Sequence, residues 1–163
     1  MRPQIVLLGR ANTVRYARRE ALLGEDFAFP VWQNEDLLTR WKRTGFPAEV
    51  DRLFLVQLPA TGALVGTILM TRVRKLEYEV AYGIQPTWRR NGLATKGVGL
   101  ALRSMSEELK QSIRVFAHVS AENTASVRVL QAHEFVQVLP TNNYGLQRWE
   151  LELTPSPIST GNS

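Results

Sequence analysis

A chain of 163 residues, 44% apolar and 21% charged, suits one continuous core rather than two, and its four Trp and six Phe are those of a folded protein, not a disordered one. Twenty basic against fifteen acidic residues leave a net charge of +5, which favours an anionic partner; the basic residues are scattered, so no stable nucleic-acid partner is expected. With no cysteine in the chain, disulfides, thiolate nucleophiles and thiolate-bound metals are excluded.

Residues 5–8, within the opening MRPQIVLLGRAN, predict a short strand. The apolar stretch is too brief for a signal peptide, and no run nears the ~18 apolar residues that cross a bilayer, so the expectation is a cytoplasmic protein with no membrane partner. Asn12 or Thr13 caps a helix toward Leu23 that Gly24 stops, and Asn34 caps a second one, with Leu37, Leu38 and Trp41 on one face, ended by Gly45. Residues 53–58 are strand-forming, and Pro59-Ala60-Thr61-Gly62 turns the chain into an antiparallel partner over 63–73. Over 76–84, Leu76, Tyr78, Val80, Tyr82 and Ile84 take one face of a strand and Glu77, Glu79, Ala81 and Gly83 the other, until Pro86 ends it.

A helix starts near Gly92, with Val98, Ala101, Leu102, Met105 and Leu109 as its buried stripe. Strand 115–119 follows, then a short helix capped by Asn123 or Thr124 and running to Ala132, with Val127 and Leu130 inward. Strand 135–139, a loop over 140–145 and a last strand carrying Trp149, Leu151 and Leu153 on one face complete the order. Residues 155–163, rich in Pro, Ser, Thr and Gly, are expected to form a flexible tail. The class is α/β, one domain over 1–154 with a mixed sheet and helices packed on it.

The segment Arg89-Arg90-Asn91-Gly92-Leu93-Ala94 lies between a strand end and a helix start. The first amides of a helix have no carbonyl partner within it and can hold an anion, assisted by the helix dipole. Gly92 lets a phosphate approach the backbone, Ala94 keeps the next turn small, and Arg89 and Arg90 add charge that suits phosphate oxygens. Neither the dinucleotide fingerprint nor the ending of a nucleotide triphosphate loop is present.

This stretch resembles the acetyl-coenzyme-A-binding motif of the GCN5-related N-acetyltransferases, R/Q-x-x-G-x-G/A, with Arg89, Gly92 and Ala94 on its defined positions. Residues 78–84, YEVAYGI, are similar to the E-I-G-Y-x-I/L strand of the branch that acetylates protein N-termini, including the ribosomal-protein alanine acetyltransferases. Residues 119–130, VSAENTASVRVL, resemble that branch's V-x-x-x-N-x-x-S-x-R-V-L stretch. The resemblance implies the single-domain acyl-CoA N-acyltransferase fold, with the fourth and fifth strands splayed around the thioester. It implies that the pantetheine arm runs along Val80, Ala81, Tyr82 and Ile84, that amides of Arg89, Arg90, Asn91, Gly92, Leu93, Ala94 and Thr95 hold the pyrophosphate of acetyl-CoA, and that Asn123 contacts the arm or the local backbone. The chain departs from the family twice: Glu134-Phe135 replaces the usual Gly-Phe after the last helix, and Leu130 stands where many members have a tyrosine acid.

The implied activity is transfer of acetyl from acetyl-CoA to a primary amine, most of all a protein N-terminal α-amino group, by direct attack in a ternary complex. An α-amino group, with a pKa near about 8, deprotonates more easily than a lysine. Glu79 is the expected general base, with Glu77 behind it; Ser126 is a candidate to protonate the thiolate, and an amide near Val80 or Ala81 to aid the carbonyl. His118 and His133 have no ligand spacing for a metal. Trp32, Trp41 and Trp88 are candidate walls for the acceptor, and Glu25, Asp26, Glu35 and Asp36 are placed to attract a cationic amine. The alternatives are a small-molecule amine, either an aminosugar antibiotic or a polyamine, and a non-catalytic acyl-CoA sensor or protein-binding module. A monomer or homodimer is expected.

Overall fold

The computed structural model describes residues 4–8 and 52–157. The two helices expected between residues 12 and 45 lie outside the described residues, together with Trp32, Trp41 and the acidic group at 25–36. Seven strands are present: β1 (Val6–Leu8), β2 (Arg52–Gln57), β3 (Leu64–Arg74), β4 (Glu77–Ile84), β5 (Ile113–Ser120), β6 (Val136–Leu139) and β7 (Leu146–Leu153). Helix α1 (Leu93–Glu108) links β4 to β5, and α2 (Thr124–Ala132) follows β5.

The strands form one sheet in the order β1-β2-β3-β4-β5-β7-β6. Only β4 and β5 run parallel, as a strand–helix–strand crossover requires; the neighbouring pairs are antiparallel. The alternation read for residues 76–84 predicts the faces of β4: Val80 and Ile84 are buried in the core, while Leu76, just before the strand, is exposed. Val98, Ala101, Leu102 and Met105 of α1 and Val129 and Leu130 of α2 join that core, which also takes Phe54, Val56, Ile68 and Met70 from the sheet. Each fully buried Val, Leu or Ile contributes on the order of 1.5–3 kcal/mol, so this stripe anchors α1 and with it the position of its first turn. Leu53, Leu55, Thr67, Leu69 and Phe116 are buried as well but fall outside this cluster.

Helix α2 keeps a left-handed C-terminal closure although Glu134 stands where glycine is usual. The Phe135 amide donates to the Leu130 carbonyl at 3.0 Å and the Glu134 amide to the Gln131 carbonyl at 3.1 Å, a Schellman closure. Glu134 takes the left-handed residue of that closure, with φ 65°, where glycine would be free of strain. The chain past β7 is tied at its start: the Ser156 amide donates to the Ser106 carbonyl at 3.0 Å, and the Ser106 hydroxyl donates to the Thr154 carbonyl at 2.6 Å.

Candidate active site

Between β4 and α1 the chain makes a compact reversal. Pro86 to Trp88 form a single 3-10 turn, Arg89 donates from Nε to the Ile84 carbonyl at 3.0 Å, and Asn91 donates from Nδ2 to the carbonyls of Trp88 and Arg89. Arg90 (φ 67°) and Gly92 (φ 71°) are both left-handed. For a non-glycine residue this conformation costs about 1–2 kcal/mol, so the strain falls on Arg90. The Lys96 amide closes onto the Gly92 carbonyl at 3.1 Å, and no side chain caps α1. The amides of Leu93, Ala94 and Thr95 therefore sit upstream of the first helical bond, at the positive end of the dipole.

These amides open onto a cleft of about 1480 Å³. Its walls carry Arg89, Arg90, Lys96, Arg103, Arg128 and His133 and, among the described residues, no carboxylate. A low-dielectric cleft with cations of one sign concentrates a multiply charged anion. Apolar lining comes from Ile84, Trp88, Leu93, Leu100 and Val129, which gives a long ligand an uncharged path as well. His133 Nε2 lies 2.6 Å from the Thr95 carbonyl and ties the end of α2 to the first turn of α1. Gly99 makes room for that ring, since a Cβ there would stand 2.8 Å from His133 Cε1.

The ladder between β4 and β5 is short. It runs from Glu77 opposite Arg114 to Glu79 opposite Phe116, whereas β4 remains paired to β3 as far as Ile84 opposite Gly66. From Val80 onward the β5-facing edge of β4 has lost its partner strand, and the two strands diverge into a gap. Tyr82 spans the cleft side of this gap, donating its hydroxyl to the Ser126 carbonyl at 3.1 Å. Burial pushes the Tyr82 phenol above its usual range, an effect the contact with Ser126 partly offsets, so it stays protonated at neutral pH. Asn123 caps α2, its Oδ1 accepting from the Ser126 amide at 3.1 Å.

The opposite face of the sheet carries charge. Arg148 donates to Glu150 at 2.9 Å and to Glu77 at 3.1 Å and lies 3.9 Å over the Phe116 ring. Burial works against the Arg148 cation, but hydrogen bonds and charge from Glu150 and Glu77 outweigh it and strengthen its hold on the proton. Glu79 lies beside His118, Oε1 to Nδ1 3.7 Å.

A family model described as the acetyltransferase (GNAT) domain matches residues 8–136. The chain belongs to the GNAT acetyltransferase family. Membership makes it an acetyl-CoA-dependent N-acetyltransferase and accounts for the mixed sheet with its splayed central strands. Comparison with curated proteins finds no match. Among solved structures, the acetyltransferase is similar to spermidine N-acetyltransferase from Vibrio cholerae in complex with CoA and spermine, at 16% identity and a TM-score of 0.65, covering 92% of this chain and 96% of that one. A dodecameric structure of the same enzyme in an intermediate state gives 18% identity and a TM-score of 0.65, covering 92% and 94%. These neighbours act on polyamines and do not single out the N-terminal alanine branch that the motifs resemble.

The acetyltransferase brings Tyr82, Ile84, Arg89, Arg90, Gly92, Leu93, Ala94, Thr95, Asn123 and Ser126 to one cleft. Val80 is buried in the core, Ala81 is exposed outside the cleft lining, and the Asn91 side-chain amide donates to carbonyls of its own loop. Arg89 spends its Nε on Ile84, so part of its donor fork is structural. Trp88, expected against the acceptor, lines the cleft on the cradle side. Glu79 does not line that cleft; it stands at the apex of the gap on the other face. Sequence reading missed Lys96, Arg103, Arg128 and His133 as cleft residues. For α1 a signal existed: Gly92, Lys96, Gly99 and Arg103 recur at three- and four-residue spacing, the helical period that also marked the buried stripe. Among the described residues no helix is long and apolar enough to cross a membrane.

Proposed function

We propose that this acetyltransferase transfers acetyl from acetyl-CoA to a primary amine of a small polycationic molecule, of which a polyamine is the type, by direct attack in a ternary complex. The observation that carries the reading is the opened β4–β5 ladder, with a cationic cleft on one side, free of carboxylates among the described residues, and Glu79 on the other. Anionic cosubstrate and cationic acceptor are thereby drawn to opposite sides of one gap. Likeness to the spermidine enzymes supports the polyamine class. The amides of Leu93, Ala94 and Thr95 would hold the pyrophosphate, with Arg90, Lys96, Arg103 and Arg128 supplying countercharge along the cleft. With no cysteine to carry an acyl group, direct attack of the amine on the thioester is the economical mechanism. The amine needs a free lone pair to do so, and Glu79 is the carboxylate that favours loss of its proton.

A protein N-terminus is the second reading, favoured by the strand at 78–84 and the α2 stretch at 119–130, which resemble the N-terminal branch. The test is a panel of polyamines, aminosugars and peptides with free N-termini, incubated with acetyl-CoA and read by mass of the product. Acetylated polyamine as the best product by kcat/KM is the expected outcome. Preference for the peptides would shift the assignment to the second reading, and acetyl-CoA binding without any product would reduce the chain to an acyl-CoA sensor.

A further inference from the structure

We propose that Glu79 and His118 form a carboxylate–imidazole dyad in which His118 accepts the proton of the acceptor ammonium, an inference that rests on the amine-acetylation reading. The pairing of β4 with β5 stops at Glu79 opposite Phe116. The next residue of β5 on that face is His118, so the two side chains flank the point where the strands part. His118 Nδ1 faces Glu79 Oε1 at 3.7 Å, and the side chains are 36% and 40% exposed, open enough to meet a ligand. The ring is held edge-on to the buried Phe116, centroids 5.4 Å apart and planes at 76°.

Among the described residues, the other charges on this face leave Glu79 to the histidine. Glu77 and Glu150 both bind Arg148, and Arg114 Nε stands 3.7 Å from Glu150. Glu77 and Glu79 of β4, Arg114 of β5, and Arg148 and Glu150 of β7 are thus the charged groups around His118 among the described residues. Arg148, its cross-strand partner, is balanced by two carboxylates, which leaves Glu79 as the carboxylate beside the imidazole among the described residues.

The division of labour follows from the chemistry. A carboxylate facing Nδ1 at 3.7 Å, beyond hydrogen-bond reach, still favours hydrogen on that side of the ring by its charge and leaves the lone pair on Nε2. Imidazole's reference pKa lies about two units above a carboxylate's, so it is the better acceptor for an ammonium proton. Nε2 takes one proton from the ammonium, and the imidazolium is held by Glu79. The freed nitrogen lone pair then forms the C–N bond to the thioester carbonyl. As the tetrahedral intermediate collapses, the C–S bond breaks with its electron pair on sulfur. The second nitrogen proton passes to the thiolate, giving amide and free thiol, and the imidazolium releases its proton to water.

The test measures kcat and KM against pH for the full chain with its best amine and acetyl-CoA. His118→Gln should lower kcat about 100-fold while leaving the KM for acetyl-CoA within about twofold. Added imidazole should restore part of the rate to His118→Ala. Glu79→Gln should lower kcat about 10-fold with the KM for acetyl-CoA within about twofold, because the ring loses the carboxylate that orients it. A His118→Gln enzyme with wild-type kcat and profile would overturn the dyad alone, as would a Glu79→Gln enzyme with wild-type kcat. Loss of acetyl-CoA binding together with turnover in His118→Gln would make the residue structural and overturn it too. If the unaltered chain binds acetyl-CoA but acetylates no amine, the acetylation reading itself fails first.

Discussion

Helices α1 and α2 both begin at the cleft, and they begin differently. At α2 the Asn123 side chain accepts the Ser126 amide, so one orphan donor is satisfied within the protein. At α1 no side chain does this; the helix opens from a left-handed Gly92, and the cations around it include Arg90 and Lys96. A helix end that is left without a cap and surrounded by positive charge is stabilised by whatever anion arrives, whereas a capped end is complete without a ligand. On the reading proposed above, one terminus serves binding and the other serves the fold.

Three substitutions sharpen that contrast, from the largest expected effect to the smallest. Ala94→Glu places a carboxylate among the α1 amides. It should weaken acetyl-CoA about 100-fold by titration calorimetry, roughly 2.7 kcal/mol, yet raise the melting temperature of the free protein, because an acidic residue in the first turn stabilises a helix by about 0.3–1 kcal/mol. A fall in both would show that the terminus is packed and not an anion site. Glu134→Gly relieves the left-handed residue after α2 and should stabilise by about 1 kcal/mol in urea unfolding, with cofactor affinity unchanged. Asn123→Ala should destabilise by about 1 kcal/mol through loss of the cap. If it instead reduced acetyl-CoA affinity as strongly as Ala94→Glu, the two helix ends would share one role and the comparison would break.

Much of the site was legible because its signals are local. Gly92 beside Arg89 and Arg90, just after a proline-ended strand, marks a helix start open to an anion from residue types alone. The Glu-Phe pair where glycine is usual marked a departure at the end of α2 but left open whether Glu134 would take the αL closure that it does. Lys96 and Arg103 were readable in principle, since helical spacing puts them on the face of Gly92. The ring of His133 against Thr95 was not, because 38 residues separate the partners and the contact exists only once α2 packs beside α1.

The same reasoning separates the two sides of the gap. Alternation alone put Glu79 on the face away from Val80 and Ile84, a consequence of the two-residue period of a strand. Nothing in that pattern tells where β5 stops following β4, because pairing length depends on how both strands twist and on what each packs against. Local sequence determined the strands, the helix starts and the anion cradle, since backbone geometry and side-chain type act over a few residues. Tertiary structure decided that the β4–β5 ladder ends at Glu79, that His118 stands beside it and that Arg148 engages Glu77, because these meetings are made by chain segments dozens of residues apart.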